Sequence, residues 1–106
     1  MREQRKASRF NLKLPLRLIR VGSQHVSRVV ETQNVSSLGV LFENETPMAV
    51  GDSIEYVITL PAQTAGPEVA IRCLGKVVRH QPPHDNLHAA PATAATLERY
   101  EFLRQT

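Results

Sequence analysis

The sequence has one cysteine, no tryptophan and no long hydrophobic run. Because Cys73 has no second thiol to pair with, an internal disulfide is excluded, and we expect this residue to be a small buried hydrophobe. No stretch approaches the roughly 20 apolar residues of a transmembrane helix, and the first residues lack the apolar core of a signal peptide. We therefore expect a cytoplasmic protein that does not insert into a membrane.

Aromatic residues are also few, with three Phe and two Tyr in the whole chain. Proteins that bind single-stranded nucleic acid stack the bases on exposed aromatic side chains, so this composition disfavours that class. A basic barrel that binds oligonucleotides is an alternative that we considered, but we expect no DNA or RNA partner.

Patterns that would indicate an enzyme are missing as well. The sequence shows no close carboxylate pair in a polar cluster, no nucleophile turn and no metal triad, so we expect neither catalytic residues nor a cofactor. His80, His84 and His88 are spaced four apart, as metal ligands on one helix would be, but Pro82 and Pro83 interrupt such a helix. We interpret this segment as a loop without a metal site.

Positive charge is concentrated at the start of the chain. The net charge is +3, yet residues 1–30 carry eight of the 13 Lys and Arg residues against one carboxylate, Glu3, and the remaining residues are net acidic. Such an uneven distribution indicates a local surface that attracts anions. The eight basic residues are Arg2, Arg5, Lys6, Arg9, Lys13, Arg17, Arg20 and Arg28.

Alternation of apolar and polar residues predicts an all-β fold with one core, which suits a chain of 106 residues. We expect the backbone of Pro15 to face an edge or a bulge, and Gly75 to form a bulge at which the inward face switches. Six short strands without a long helical period predict a small antiparallel barrel or sandwich, with a helical turn or two at most after Arg99. The predicted strands are Leu12–Leu18, Val26–Thr32, Val40–Glu43, Ile54–Leu60, Glu68–Arg79 and Thr93–Arg99.

Two segments carry candidate binding residues. Arg5 and Arg9 lie in a basic stretch without apolar periodicity, which we interpret as an N-terminal arm over residues 1–10 preceding a barrel domain over residues 11–106. Arginine suits an anionic ligand because its planar fork pairs with phosphate or with the O6 and N7 edge of guanine. In "NVSSLG", Asn34 and Ser36 project to the same side of an extended backbone, and Gly39 allows positive φ or close approach to a ligand. Taken alone, this second segment is also what an ordinary turn contains.

Together, "RKASR" and "NVSSLG" resemble the signature of the PilZ family, RxxxR followed by [D/N]xSxxG. The later segments "GDSIEYVITLP", "IRCLGKVVR" and "LERYEF" are similar to that family too, so the resemblance covers Arg5 to Phe102. It implies a six-stranded β-barrel that binds the bacterial second messenger cyclic di-GMP. Asn34 stands where many members have Asp, and an amide carbonyl can still accept from guanine, in a weaker bond than a carboxylate makes.

The resemblance also implies a role for each motif residue. Arg5 and Arg9 would contact phosphates and guanine edges, Asn34 and Ser36 would hydrogen-bond guanine or phosphate, and Gly39 would leave room for the ring. We predict that ligand binding orders the arm and that a downstream protein partner reads the change. The alternative is a PilZ-like module that acts through protein contacts and does not bind nucleotide.

Overall fold

The computed structural model describes residues 10–46, 48–61, 68–82 and 91–103. In these ranges the chain forms seven strands and no helix, and so none long and apolar enough to cross a membrane. The predicted strands are present, with shifted ends and one addition. The strands are β1 (Pro15–Val21), β2 (Gln24–Val35), β3 (Gly39–Glu43), β4 (Ser53–Leu60), β5 (Val69–Gln81), β6 (Ala92–Thr96) and β7 (Arg99–Leu103).

Six of the strands close into a barrel in which every pairing is antiparallel. The order around the ring is β4, β1, β2, β3, β6 and β5, and β5 pairs again with β4 to complete it. β5 is long enough to do this because its first part, Val69–Lys76, pairs with β4 and its last part, Val77–Gln81, pairs with β6. The other side of its first part pairs with β7. The predicted six-stranded antiparallel barrel is therefore confirmed, with β7 as an extra strand at its side.

The core is formed by alternate residues that point into the barrel. In β4, the predicted alternation is present, since Ile54, Tyr56 and Ile58 are all buried. Tyr56 is fully buried, and its hydroxyl donates to the backbone carbonyl of Thr96 at 3.0 Å. The other buried apolar residues are Leu14, Leu16, Leu18, Val40, Phe42, Cys73, Val77, Ala92 and Ala95.

The first strand begins later than its alternation predicted. β1 starts at Pro15, which has no backbone N–H to donate and so suits the first position of a strand. Leu12 is 44% exposed, so the prediction that it contributes to a half-buried strand is wrong. The segment before β1 is fixed instead by the buried hydroxyl of Thr32, which accepts from the backbone N–H of Leu14 at 2.8 Å and donates to the carbonyl of Leu12.

Gly75 has a different role from the predicted one. The β4–β5 register runs without interruption through the pair Ile54 and Gly75, and Cys73, Gly75 and Val77 are all buried, so the inward face does not switch there. A Cβ on Gly75 would lie 1.8 Å from the carbonyl oxygen of Thr96. Glycine is needed because the chain leaving β6 passes directly over this position.

The end of the chain also differs from the prediction. β6 ends at Thr96 rather than near Arg99, and the residues after it form β7 instead of a helical turn. β5 extends through His80 and Gln81, so the following loop begins later than its sequence indicated. The break at Leu97 and Glu98 lets β6 close the barrel against β3 while β7 continues along the outer side of β5.

Candidate functional site

A row of side chains crosses the outer face of four neighbouring strands. Asn34 in β2 is the cross-strand partner of Leu41 in β3, Leu41 of Ala94 in β6, and Ala94 of Arg79 in β5. Adjacent strands lie about 4.8 Å apart, so the path along the curved sheet from Asn34 to Arg79 covers three strand spacings, about 14 Å. The row therefore places an amide and a guanidinium on either side of a short apolar floor.

Two irregularities in the strands turn the ends of this row outward. The β2–β3 register shifts between Thr32 and Asn34, and the β5–β6 register shifts between Val77 and Arg79. Thr32 and Val77 point into the core, so uninterrupted alternation would place Asn34 and Arg79 on the inner face. The extra residue at each bulge reverses this, which is a recognised effect of bulges beside functional sites.

Between the two bulges lies an open cavity of about 220 Å³. No large side chain rises from the middle of its floor, because the outward residue of β6 there is Ala94, whose side chain is a single methyl group. The alanine-rich sequence of this strand, which is unusual for the closing strand of a barrel, thus leaves the space that a larger residue would fill. The cavity is lined by Asn34, Ser36, Leu38, Gly39, Val40, Leu41, Val78, Arg79, Ala94, Ala95 and Thr96.

Ser36 fixes the turn between β2 and β3. Its Oγ accepts from the backbone N–H groups of Leu38 at 3.1 Å and Gly39 at 3.3 Å, and its own N–H donates to the Gly39 carbonyl at 2.9 Å. The turn is also tied to the end of β6, because the N–H of Leu97 donates to the carbonyl of Leu38 at 2.8 Å. The Ser36 hydroxyl and these backbone bonds together fix the shape of this cavity wall.

Gly39 is required by the packing of the barrel itself. A Cβ at this position would lie 2.5 Å from the carbonyl oxygen of Ala95 and 3.3 Å from the Cα atom of Thr96. Its φ is not in the positive region, where the structure has only Gly22 and Gly51 among the described residues. The prediction that glycine is needed here for a positive φ is therefore wrong. The structure shows a close approach instead, between the backbone of Gly39 and the backbone of β6.

The end of the predicted arm is attached next to this wall. The backbone N–H and carbonyl of Phe10 both bond to Val35 at 2.9 Å, and Val35 stands between Asn34 and Ser36. The side-chain Nδ2 of Asn34 donates to Oδ1 of Asn11 at 3.3 Å. Among the described residues, no donor bonds to the Oδ1 atom of Asn34.

Arg79 is the charged residue of the cavity lining, and sequence reasoning did not assign it to the site. Its Nε and Nη2 atoms lie 3.2 and 3.0 Å from the side-chain oxygen of Gln81, in the amide orientation that satisfies both groups. In the sequence, Arg79 is two residues after Val77, and alternation assigns both to the buried face. In the structure Val78 and Arg79 are both exposed, which breaks the alternation. The bulge that causes this is defined by the pairing of β5 with β6, which the sequence does not reveal.

The structure brings together three of the five predicted binding residues, Asn34, Ser36 and Gly39, around the cavity. Arg5 and Arg9 lie outside the described residues, as do His84 and His88. His80 contacts the hydroxyl of Thr93 at 3.0 Å through Nδ1. In the part of the chain that the structure describes, no group of three or more His, Cys, Asp or Glu residues could hold a metal ion.

Comparison with known proteins identifies a protein of similar fold and the family of this chain. The inhibitor of motility MotI/DgrA from Bacillus subtilis has a similar structure, with a TM-score of 0.71 and 15% sequence identity over 92% of this chain. At that identity the likeness shows the fold alone, and the match spans 44% of that chain, so this chain corresponds to less than half of it. The search of curated proteins gave no significant match. The family model described as the PilZ domain matches residues 3–102, and the chain therefore belongs to the PilZ domain family.

Proposed function

We propose that this PilZ domain is a receptor for cyclic di-GMP, which binds at the cavity on the outer face and is held by Arg5, Arg9, Asn34, Ser36 and Gly39. PilZ domains are generally receptors for this nucleotide and are binding or adaptor domains rather than enzymes. The observation that carries the proposal is the attachment of Phe10 to Val35, because it joins the arm to the strand that bears Asn34 and Ser36.

Covalent geometry then limits where the arginines can be. Consecutive Cα atoms are about 3.8 Å apart, so the Cα atom of Arg9 is within that distance of Phe10. Five residues of extended chain span at most about 18 Å, and this is the limit for Arg5. An arginine side chain adds several ångströms of reach, so both guanidiniums can meet over the cavity without any change in the barrel.

The chemistry of the cavity fits a guanine-containing dianion. Leu38, Leu41 and Val78 give it an apolar surface for the flat face of a base, while the Oδ1 atom of Asn34 can accept from the guanine N1–H or N2–H. Ser36 already accepts two backbone hydrogen bonds, so we assign it the role of donor. Its Oγ now donates to the Gly39 carbonyl oxygen at 3.4 Å, and this hydroxyl proton would turn to a ligand oxygen. The guanidinium of Arg79 extends the site beyond the family motif.

The size of the cavity supports a role for the arm. Pockets that bury small ligands have volumes of about 300 to 1,000 Å³, and the cavity formed by the described residues is only about 220 Å³ and open to solvent. The described residues would therefore form one wall of the site. We propose that the arm forms the other wall when the ligand neutralises Arg5 and Arg9, and that this ordering is the signal to a downstream partner.

Binding energies are consistent with two arginines and a polar wall. A micromolar ligand requires about 8 kcal/mol. Charge-assisted hydrogen bonds contribute about 1.5 to 3 kcal/mol each, and a stacked base adds about 1 to 3 kcal/mol. Two such arginines with Asn34 and Ser36 supply this amount after the cost of ordering the arm.

The test is calorimetric titration of the protein with cyclic di-GMP, its linear dinucleotide and GTP. We expect Arg5→Ala and Arg9→Ala each to weaken binding of cyclic di-GMP by about 2 to 4 kcal/mol, because each removes one side of a charge-assisted contact. Lys6→Ala is the matched control, since it removes one positive charge from the same arm outside the motif. Unchanged isotherms for both arginine variants would refute the site assignment, and no heat at about 1 mM nucleotide would favour a module that does not bind it.

A further inference from the structure

β7 is the edge strand of the sheet. It pairs with β5 on one side, and no strand pairs with its other side in the described ranges 10–46, 48–61, 68–82 and 91–103. Alternate backbone N–H and C=O groups of an edge strand point away from its neighbour, and another strand can bond to them. This edge is therefore able to bind an extended segment of backbone.

The side chains of β7 do little to protect that edge. Tyr100 and Phe102 are 61% and 63% exposed, and their rings lie edge to face with centroids 5.9 Å apart. The strand contains no proline and no lysine, which are the residues that commonly block pairing at an edge. Aromatic side chains exposed on an open edge are what an interface covers.

The opposite face of β7 carries one charge of each sign. Arg99 and Glu101 are both exposed and are separated by one residue. The carboxylate of Glu101 is 3.5 Å from Nη1 of Arg72, whose Nε lies 2.6 Å from Glu55, and Glu55 also pairs with Arg20 at 3.2 Å. An ion-pair network thus ends at Glu101, on the edge strand itself.

We propose that β7 pairs antiparallel with β7 of a second copy of this chain, in a two-fold register centred on Tyr100. In this register Arg99 lies directly opposite the partner's Glu101, and the symmetry makes the same pair twice. Tyr100 lies opposite the partner's Tyr100, with each Phe102 at the diagonal position where cross-strand aromatic side chains still touch. The dimer extends the ion-pair network of each copy by one arginine.

The charges of β7 favour the register centred on Tyr100 over the register shifted by one residue. A two-fold register centred on Glu101 would place Glu101 opposite the partner's Glu101, and like charges directly opposite destabilise a strand pair. The charge pattern of β7 therefore complements itself when Tyr100 is at the centre. This interface is separate from the proposed nucleotide site, which lies between β2 and the second half of β5.

The experiment is sedimentation equilibrium of the full chain without nucleotide, at protein concentrations from about 1 to 300 µM, a range that brackets a weak, small interface. We expect the wild-type protein to form a dimer with a dissociation constant of about 1 to 100 µM. Arg99→Glu and Glu101→Arg each replace two attractive pairs by two repulsive ones, so each should raise this constant about tenfold or more.

The double variant Arg99→Glu/Glu101→Arg restores opposite charges across the interface but loses the pair of Glu101 with Arg72 within each copy, so its dissociation constant should lie at least about threefold below those of both single variants. Arg17→Glu, an equivalent change at an exposed position of β1, is the control and should leave the constant unchanged. Circular dichroism of every variant checks that the barrel is folded. A wild-type protein that remains monomeric at all concentrations would overturn the proposal, and so would a double variant no better than the single ones.

Discussion

At the scale of single residues, burial in the barrel changes the chemistry of two side chains. Tyr56 and Cys73 have no exposed surface, and burial raises the pKa of both, to about 11 for the Cys73 thiol. The expectation that the one cysteine is a small buried hydrophobe is thus confirmed. A thiol kept protonated by burial is a poor nucleophile, because the thiolate is the reactive form.

The raised pKa of Cys73 predicts a loss of stability in alkaline solution. The thiol ionises near pH 9 in the unfolded chain and near pH 11 in the folded one, so its contribution is complete below pH 9 and is lost as the pH rises to 11. This loss amounts to about 2 to 3 kcal/mol, from 1.36 kcal/mol per pKa unit. Urea unfolding at pH 8 to 11 should therefore show a steeper decline for wild type than for Cys73→Ala, and parallel declines would contradict the prediction.

At the scale of elements, the turn after β2 and the two bulges position the candidate site. Strand existence followed from local alternation, as in β4, where three alternate residues are buried. The two bulges could not be predicted from alternation. A bulge shifts the pairing register by one residue, and this shift depends on the neighbouring strand as well as on the strand that contains the bulge. For the same reason β7 was mistaken for a possible helical turn: its residues form helices well, and pairing with β5 overrides that preference.

The turn between β2 and β3 offers a prediction for one hydroxyl. Ser36→Ala removes the acceptor of the Leu38 and Gly39 N–H groups and should lower the free energy of unfolding by about 1 to 2 kcal/mol. Ser37→Ala, at the exposed neighbouring position, is the matched control and should change it by less than about 0.5 kcal/mol. Urea denaturation measures both, and equal effects would show that Ser36 does not fix the turn.

At the scale of the whole molecule, the barrel forms one wall of the candidate site, and the chain before β1 is attached beside that wall. Phe10 is bonded to Val35 in the barrel, and the buried Thr32 fixes the chain between Phe10 and β1. The base of the arm is therefore held independently of any ligand.

This arrangement predicts a local change in hydrogen exchange. On addition of cyclic di-GMP, the backbone amides of residues 2–9 should exchange more slowly, because ligand contacts order the arm. The amides of Phe10 and Val35 serve as the internal control, since each is already hydrogen-bonded to the other residue and should be protected in both states. Equal exchange of residues 2–9 with and without nucleotide would eliminate the proposed switch. It would not decide whether the nucleotide binds, which the calorimetric titration tests separately.

The sequence by itself determined the all-β class, six of the strands and the family, because alternation and short motifs are local properties of the chain. It also indicated that Asn34, Ser36 and Gly39 belong together, since they are separated by at most five residues. Only the tertiary structure decided that Arg79 joins them, that Gly39 and Gly75 are needed where β6 passes close by, and that β7 forms an open edge. Each of these depends on which strands are neighbours, and strand order follows from closing the barrel around one core rather than from any local pattern.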